Sequence, residues 1–120
     1  LAVLAHVEGD HVDIESLAQL ASVRGAERAL QPLKDWHLVQ EPARGRHALH
    51  AVVRHAVRAH TTFPAQRFFD HYVTLLERSA DRLKLEQTHL FAAMDHAYRN
   101  SDFGAILRVE RLVRRLEGAD

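Results

Sequence analysis

The sequence contains no cysteine, only five glycines and three prolines, and no apolar stretch long enough to cross a membrane. The lack of cysteine excludes disulfide scaffolds and metal sites built from thiolates. A membrane-spanning helix needs about 20 mostly apolar residues, so we expect no transmembrane segment and no membrane partner. The opening residues are already apolar and lack a methionine, and we expect a cytoplasmic chain that is part of a longer polypeptide.

An excess of charge of either sign is also missing. The 120 residues carry 16 basic and 16 acidic side chains, so the formal net charge is zero with the histidines neutral. This balance argues against binding nucleic acid or an anionic membrane through bulk charge. Hydrophobic residues make up 47% of the sequence, which excludes a disordered tail and favours one compact domain or two very small ones.

The first half of the chain has the pattern of three short helices. Apolar residues at three- and four-residue steps predict one helix that ends near Gly9 and two more over about 14–22 and 26–36. Asp13 is expected to cap the second helix. Pro32 lies inside the third helix and should bend it or shift its start, because proline lacks the amide that a helix needs.

A hairpin and a fourth helix follow. Two β-like runs, 37–40 and 46–49, flank a five-residue loop over 41–45 that contains proline and glycine. Three helices followed by a hairpin is the order of a winged helix, so we assign residues 1–60 to a winged-helix domain. The fourth helix, over 50–60, is predicted to bury Val53, Ala56 and Val57.

The second half, residues 61–120, has a purely helical pattern. Pro64 marks the start of a first helix, and apolar stripes predict further helices over 85–99 and 103–117. Short connections between amphipathic helices make antiparallel neighbours. The predicted fold is therefore mainly α: a winged helix of three to four helices with a small β-hairpin, followed by an antiparallel helical segment.

The first half resembles the winged-helix domain of the STAND signalling ATPases, the class that includes the NB-ARC regulators. The stretch over residues 46–56 is similar to the family segment in which a strand ends in Met/Leu-His-Asp or Leu-His-Pro and leads into a helix. Leu49 and His50 match this segment, and Arg54 matches the arginine four residues on. Ala51 departs from the Asp or Pro of the family.

The second half resembles the helical region that follows in bacterial members and leads into tetratricopeptide-like repeats. Residues 86–94 are similar to the family stretch Glu-x-x-Asn-Leu-x-Ala-Ala-Leu, with His89 in place of the asparagine. The resemblance implies that residues 61–120 form a tetratricopeptide-like segment, which senses a signal by binding a protein or a small ligand.

The resemblance also implies a function in signal transduction and transcription regulation. The winged helix would restrain a neighbouring nucleotide-binding domain of the same polypeptide, which holds ADP or ATP. In that arrangement His50 approaches the β-phosphate of ADP, and Arg54, on the same helical face, is the second nucleotide-sensing residue. The sequence contains no Gly-x-x-x-x-Gly-Lys-Ser/Thr loop, so we expect no enzyme activity and no cofactor in this chain by itself.

Two other functions stay open, a DNA-binding winged-helix regulator and a plain helical scaffold for protein interactions. DNA recognition by the third helix would need basic side chains. The charged residues of that helix sum to zero, and the wing adds only Arg44 and Arg46, which argues against direct DNA binding. The charged residues of the third helix are Glu27, Arg28, Lys34 and Asp35.

The sequence also contains ten histidines and a few aromatic residues. The closest histidine cluster is His47-x-x-His50, a thin ligand set for zinc, so we expect no metal site and histidines at the surface. We expect Trp36, Tyr72 and Tyr98 to contribute to core or inter-helix packing.

Overall fold

The computed structural model describes residues 1–118 and divides the chain into two compact units, Leu1–Pro64 and a second unit that begins at Ala65. Over the described residues the fold is mainly helical with one small antiparallel sheet, as predicted. The first unit contains α1 (Ala2–His6), β1 (Val12–Asp13), α2 (Ile14–Ala21), α3 (Ala26–Asp35), β2 (Val39–Ala43), β3 (Arg46–Leu49) and α4 (Ala51–His60). The second unit contains α5 (Ala65–Arg78), a 3-10 turn (Ala80–Arg82), α6 (Gln87–Arg99) and α7 (Phe103–Glu117).

The sheet of the first unit includes a strand that the sequence pattern did not reveal. Its strand order is β1-β3-β2, and both pairings are antiparallel. β1 is only two residues long, and its Val12 pairs with His47 of β3. So short a strand carries no alternating pattern of its own, and it forms because β3 supplies a partner.

The hairpin turn is tighter than the predicted five-residue loop over 41–45. β2 continues to Ala43, and the register shifts between Gln40 and Ala43. Pro42 is tolerated there because β2 is an edge strand, where a missing N–H costs no ladder hydrogen bond. The turn is completed by Gly45 with a φ of 75°, which side chains other than glycine rarely adopt.

Two helices of the first unit begin directly after a residue whose side chain or backbone conformation favours a helix start. The Asp13 carboxylate accepts a hydrogen bond from the Ser16 N–H at 3.2 Å, which confirms the predicted cap of α2. α3 begins directly after Gly25, whose φ is 67°. The helix continues through Pro32 to Asp35, so the proline does not shift its start.

The core of the first unit lies between α1, α2, α3 and the sheet. α4 packs mainly against α1 and has no fully buried residue. The prediction that α4 buries three apolar residues is therefore wrong: Val53 and Val57 are half-buried and Ala56 is exposed, because α4 has a neighbour on one side alone. The buried apolar residues of this unit are Val3, Leu4, Ala5, Val7, Val12, Leu17, Leu20, Ala26, Leu30, Val39 and Leu49.

The second unit buries one continuous cluster between its three helices. α7 begins where the Asp102 carboxylate accepts a hydrogen bond from the Ala105 N–H at 3.1 Å, and it packs against both α5 and α6. The Arg108 guanidinium also pairs with Glu77 of α5 at 2.8 Å. The cluster comprises Phe69, Val73, Leu76, Leu83, Leu90, Ala93, Ala97, Val109 and Leu112.

The prediction that the aromatic residues pack in the core or between helices is confirmed for Tyr72 and wrong for Trp36, and Tyr98 meets it only through a contact between two helices. Tyr72 is buried in the second unit. Trp36 is 78% exposed because it follows the last residue of α3, where the chain turns away from the core. Tyr98 is 52% exposed, and its hydroxyl donates a hydrogen bond to Glu110 at 2.8 Å.

Two histidines are buried, which corrects the expectation that the histidines lie at the surface. His47 is buried on β3, and His89 is buried on α6. The His89 ring stacks on the Tyr72 ring, with 4.0 Å between the centroids and 2° between the planes. An imidazole with an aromatic neighbour therefore fills a core position that an apolar residue more often takes.

Candidate functional site

His50 lies at the junction between β3 and α4, as the sequence pattern predicts. Its backbone N–H donates to the Leu38 carbonyl at 3.1 Å, and its Nδ1 accepts from the Val52 N–H at 3.3 Å. These two contacts make His50 the cap of α4 and hold the imidazole ring. Because Nδ1 is the acceptor, the proton of the neutral ring sits on Nε2. The residue is exposed to solvent.

Arg54 lies one turn further along α4 and reaches the C-terminal end of α1. Its Nε donates to the Ala5 carbonyl at 3.4 Å, and its Nη2 donates to the Val7 carbonyl. The last carbonyls of a helix lack partners within the helix and carry a partial negative charge, so a guanidinium is favourable there. Arg54 thus fastens α4 to α1.

Arg58 repeats this contact from the next turn of α4. Its Nε donates to the Ala5 carbonyl and its Nη2 to the Val7 carbonyl at 3.4 Å, and Glu8 lies 3.5 Å from its Nη2. The two guanidiniums are therefore close neighbours. Burial is the main reason that the pKa of Arg54 lies below its ordinary value, and the charge of Arg58 lowers that pKa further.

His50 and Arg54 share a helical turn, but their side chains make separate contacts. The Arg54 N–H donates to the His50 carbonyl at 2.8 Å within α4. The His50 ring caps its own helix, whereas the Arg54 guanidinium binds carbonyls of α1. The geometry leaves His50 with the more accessible donor of the two.

An open cleft of about 490 Å³ lies beside α4 and includes residues that the sequence reading missed. Arg54, His55 and Arg58 line it from the helix, and Gln40 lines it from β2. The spacing Arg-x-x-x-Arg was visible in the sequence, but the closure of the cleft by β2 depends on the tertiary structure. The remaining lining residues are Asp10, Ala48, Leu49 and Ala51.

Two of the four Lys and Arg residues of α3 and of the hairpin are occupied by partners within the first unit. Lys34 pairs with Glu41 at 2.9 Å. Arg46 is buried, and its Nε donates to Nδ1 of His11 at 2.6 Å, so it is not a surface cation of the hairpin. Arg28 and Arg44 are exposed. This distribution weakens the case for DNA recognition beyond what the charge count suggested.

The hairpin carries two groups with shifted pKa values. The pKa of Glu41 lies below its ordinary value because its carboxylate accepts hydrogen bonds from the Gly45 N–H at 2.8 Å and from Lys34. Burial lowers the pKa of His47, whose Nδ1 has no hydrogen-bond partner within residues 1–118. His47 is buried and His50 exposed, and no group of three or more potential metal ligands occurs in this part of the chain.

The second unit presents an apolar and basic stripe on the outer face of α7. Phe103 is 78% exposed and Leu107 is 56% exposed, one helical turn apart. Arg111 and Arg114 continue the same face and are also exposed. Large exposed apolar side chains beside charges are typical of surfaces that contact another protein.

Comparison with protein-family models, with curated proteins and with solved structures finds no match for this chain. Within residues 1–118, none of the helices has the length and apolar character that crossing a membrane requires.

Proposed function

We propose that this chain is a non-catalytic regulatory part of a multidomain, ATP-dependent signalling switch. The first unit acts as a winged helix that restrains a neighbouring nucleotide-binding domain of the same polypeptide. The second unit acts as a tetratricopeptide-like segment that binds a partner protein or a small-ligand signal. The element order α1-β1-α2-α3-β2-β3 supports the winged-helix assignment, because β1 extends the hairpin to a three-stranded sheet.

The geometry of His50 carries this proposal. An imidazole that is exposed and oriented by its Nδ1 contact can offer its Nε2–H to a phosphate oxygen. We assign it the contact with the β-phosphate of ADP on the neighbouring domain. Arg54 takes a positioning role instead, because its guanidinium holds α1 against α4.

The closed, ADP-bound state is stabilised by this contact, and the open state lacks it. A side chain shifts a two-state equilibrium only by its different interaction with the two states. Loss of a hydrogen bond to a charged group costs about 1.5–3 kcal/mol, which corresponds to a change of about ten- to a hundredfold in the ratio of open to closed forms.

Two variants of His50 separate phosphate contact from helix capping, in the longer polypeptide that includes the nucleotide-binding domain. His50→Ala removes both functions, whereas His50→Asp keeps a good cap but places a carboxylate near the phosphate. We expect both variants to release ADP about ten- to a hundredfold faster, as measured by the displacement of a fluorescent ADP analogue.

The matched control is His60→Ala, which removes an exposed histidine at the other end of α4. It should release ADP at the wild-type rate. If His50→Asp melts at the wild-type temperature and also releases ADP at the wild-type rate, His50 does not contact the nucleotide.

A plain scaffold for protein interactions is the second candidate, and the exposed pair Phe103 and Leu107 favours it. The two functions differ in whether binding at the second unit changes the release of ADP. In the regulatory protein, a ligand of the second unit changes ADP release, whereas a scaffold binds its partner without any effect on nucleotide. Measurement of ADP release with and without the partner distinguishes them.

A further inference from the structure

The cleft beside α4 combines several hydrogen-bond donors with two cations in one concave surface. Its volume is about 490 Å³, enough for a small organic molecule. Arg54 and Arg58 are half-buried in its wall, and the exposed His55 lies between them in sequence. His50 itself is not among the lining residues, although its chain neighbours Leu49 and Ala51 are.

The two guanidiniums are held in place before any ligand arrives. Each is anchored by hydrogen bonds to the carbonyls of Ala5 and Val7, which restrict both long side chains. These contacts use the Nε and Nη2 atoms, and a guanidinium has further N–H donors on Nη1. Donors that are already ordered bind an anion with less loss of side-chain entropy than free surface arginines do.

Two carboxylates accompany the two guanidiniums in this region. Glu8 lies 3.5 Å from Arg58, and the Asp10 carboxylate accepts a hydrogen bond from the His11 N–H at 2.9 Å. Repulsion from Arg58 is one of the causes that lower the pKa of Arg54. An anion placed between the two guanidiniums would relieve this repulsion.

We propose that the cleft binds a phosphate group, with Arg54 and Arg58 as its charged contacts and His55 as a further donor. A phosphate dianion suits two neighbouring guanidiniums, because each keeps N–H donors on Nη1 beside its carbonyl contacts and a charged acceptor strengthens such hydrogen bonds. The phosphate belongs to a small diffusible anion, either inorganic phosphate or a phosphomonoester. The inference is independent of the nucleotide contact of His50.

The test is a titration of the ¹⁵N-labelled 120-residue chain, followed by amide chemical shifts. Inorganic phosphate and phenyl phosphate are the two probes, and sodium chloride at matched ionic strength is the reference. We expect saturable shifts concentrated at residues 51–58 and at Asp10. Binding of both probes identifies a phosphate-group site, whereas binding of inorganic phosphate alone identifies a site for the free ion.

Two variants change the cleft without touching the anchored arginines. His55→Ala removes an exposed donor and should weaken phosphate binding severalfold. Asp10→Asn removes the carboxylate that lines the cleft and should tighten binding severalfold, an effect that partial unfolding cannot produce. A third variant, Arg58→Gln, removes one of the anchored arginines and should weaken binding about tenfold or more. The matched control, Arg44→Gln in the exposed hairpin turn, should bind like the wild-type chain.

Two results would overturn the proposal. One is that phosphate and chloride shift the same amides to the same extent. The other is that Asp10→Asn fails to tighten binding while His55→Ala leaves it unchanged. Neither result affects the prediction for ADP release by the His50 variants, so the two hypotheses fail separately.

Discussion

Glu86 and Arg82 form an ion pair of 2.8 Å in which the carboxylate side chain is fully buried. Asp95 and Arg99 form a pair of the same length and the same sequence spacing, but both side chains are largely exposed. The second unit therefore contains two chemically similar pairs in opposite environments. His89 lies 3.9 Å from Glu86 and extends the buried pair toward the Tyr72 ring.

We predict that Glu86→Ala destabilises the chain by about 1.5–3 kcal/mol, because it removes the buried, charged hydrogen-bond acceptor of the partly exposed Arg82. The matched variant Asp95→Ala should change stability by less than about 1 kcal/mol, since exposed pairs contribute little. Urea unfolding followed by circular dichroism measures both values. Equal losses of stability for the two variants would contradict the assignment of Glu86 to the core.

A second prediction concerns the pH dependence of the first unit. The pKa of His47 in the folded state lies below the ordinary value of 6.5 because the ring is buried. Below pH 6.5 the unfolded chain therefore binds a proton that the folded chain resists, so the unfolding free energy falls as the pH decreases. We expect it to rise between pH 5 and pH 7, and His47→Gln to flatten this rise.

The control for His47 is His60→Gln, which removes an exposed histidine and should leave the pH profile unchanged. Glu41 does not interfere in this window. Its folded-state pKa lies below 4.5, so its contribution is present above that pH and is lost only as the pH falls further. A profile between pH 5 and pH 7 that is identical with and without His47 would refute the burial argument.

A third prediction concerns the hairpin turn. Gly45 has a φ of 75°, although an added Cβ would meet no atom within 4 Å. Gly45→Ala should therefore destabilise the first unit by about 1 kcal/mol through backbone strain rather than through a clash. Gly45→Asn should cost less, since asparagine tolerates the left-handed region. Thermal unfolding of the two variants tests this order, which a steric clash would reverse because asparagine is larger.

A fourth prediction concerns nucleic acid. The chain should not bind random duplex DNA in the low micromolar range at physiological salt, although non-specific binders reach dissociation constants on the order of 10⁻⁶–10⁻⁴ M. The reasons are the zero net charge, the Lys34–Glu41 pair and the burial of Arg46. Fluorescence anisotropy with labelled duplex measures the binding. Sequence-selective binding at that salt would favour the DNA-binding regulator instead.

The sequence by itself determined the features that depend on neighbouring residues. α7 covers 103–117 as its apolar periodicity predicts, and Asp13 caps α2 as predicted. His50 was found through the resemblance of residues 46–56 to the STAND segment, and the structure places it at the cap of α4. These features arise from interactions across three or four positions, which a sequence pattern records.

Only the tertiary structure decided which faces are covered. β1 exists because β3 pairs with it from more than 30 residues away, and α4 is half-exposed because α1 covers a single side. The burial of His89 and the exposure of Trp36 also depend on which elements pack against each residue. Arg54, predicted as a nucleotide contact, reaches α1 across 49 residues of sequence. Burial and long-range pairing depend on which elements meet in space, and local periodicity carries no information about that choice.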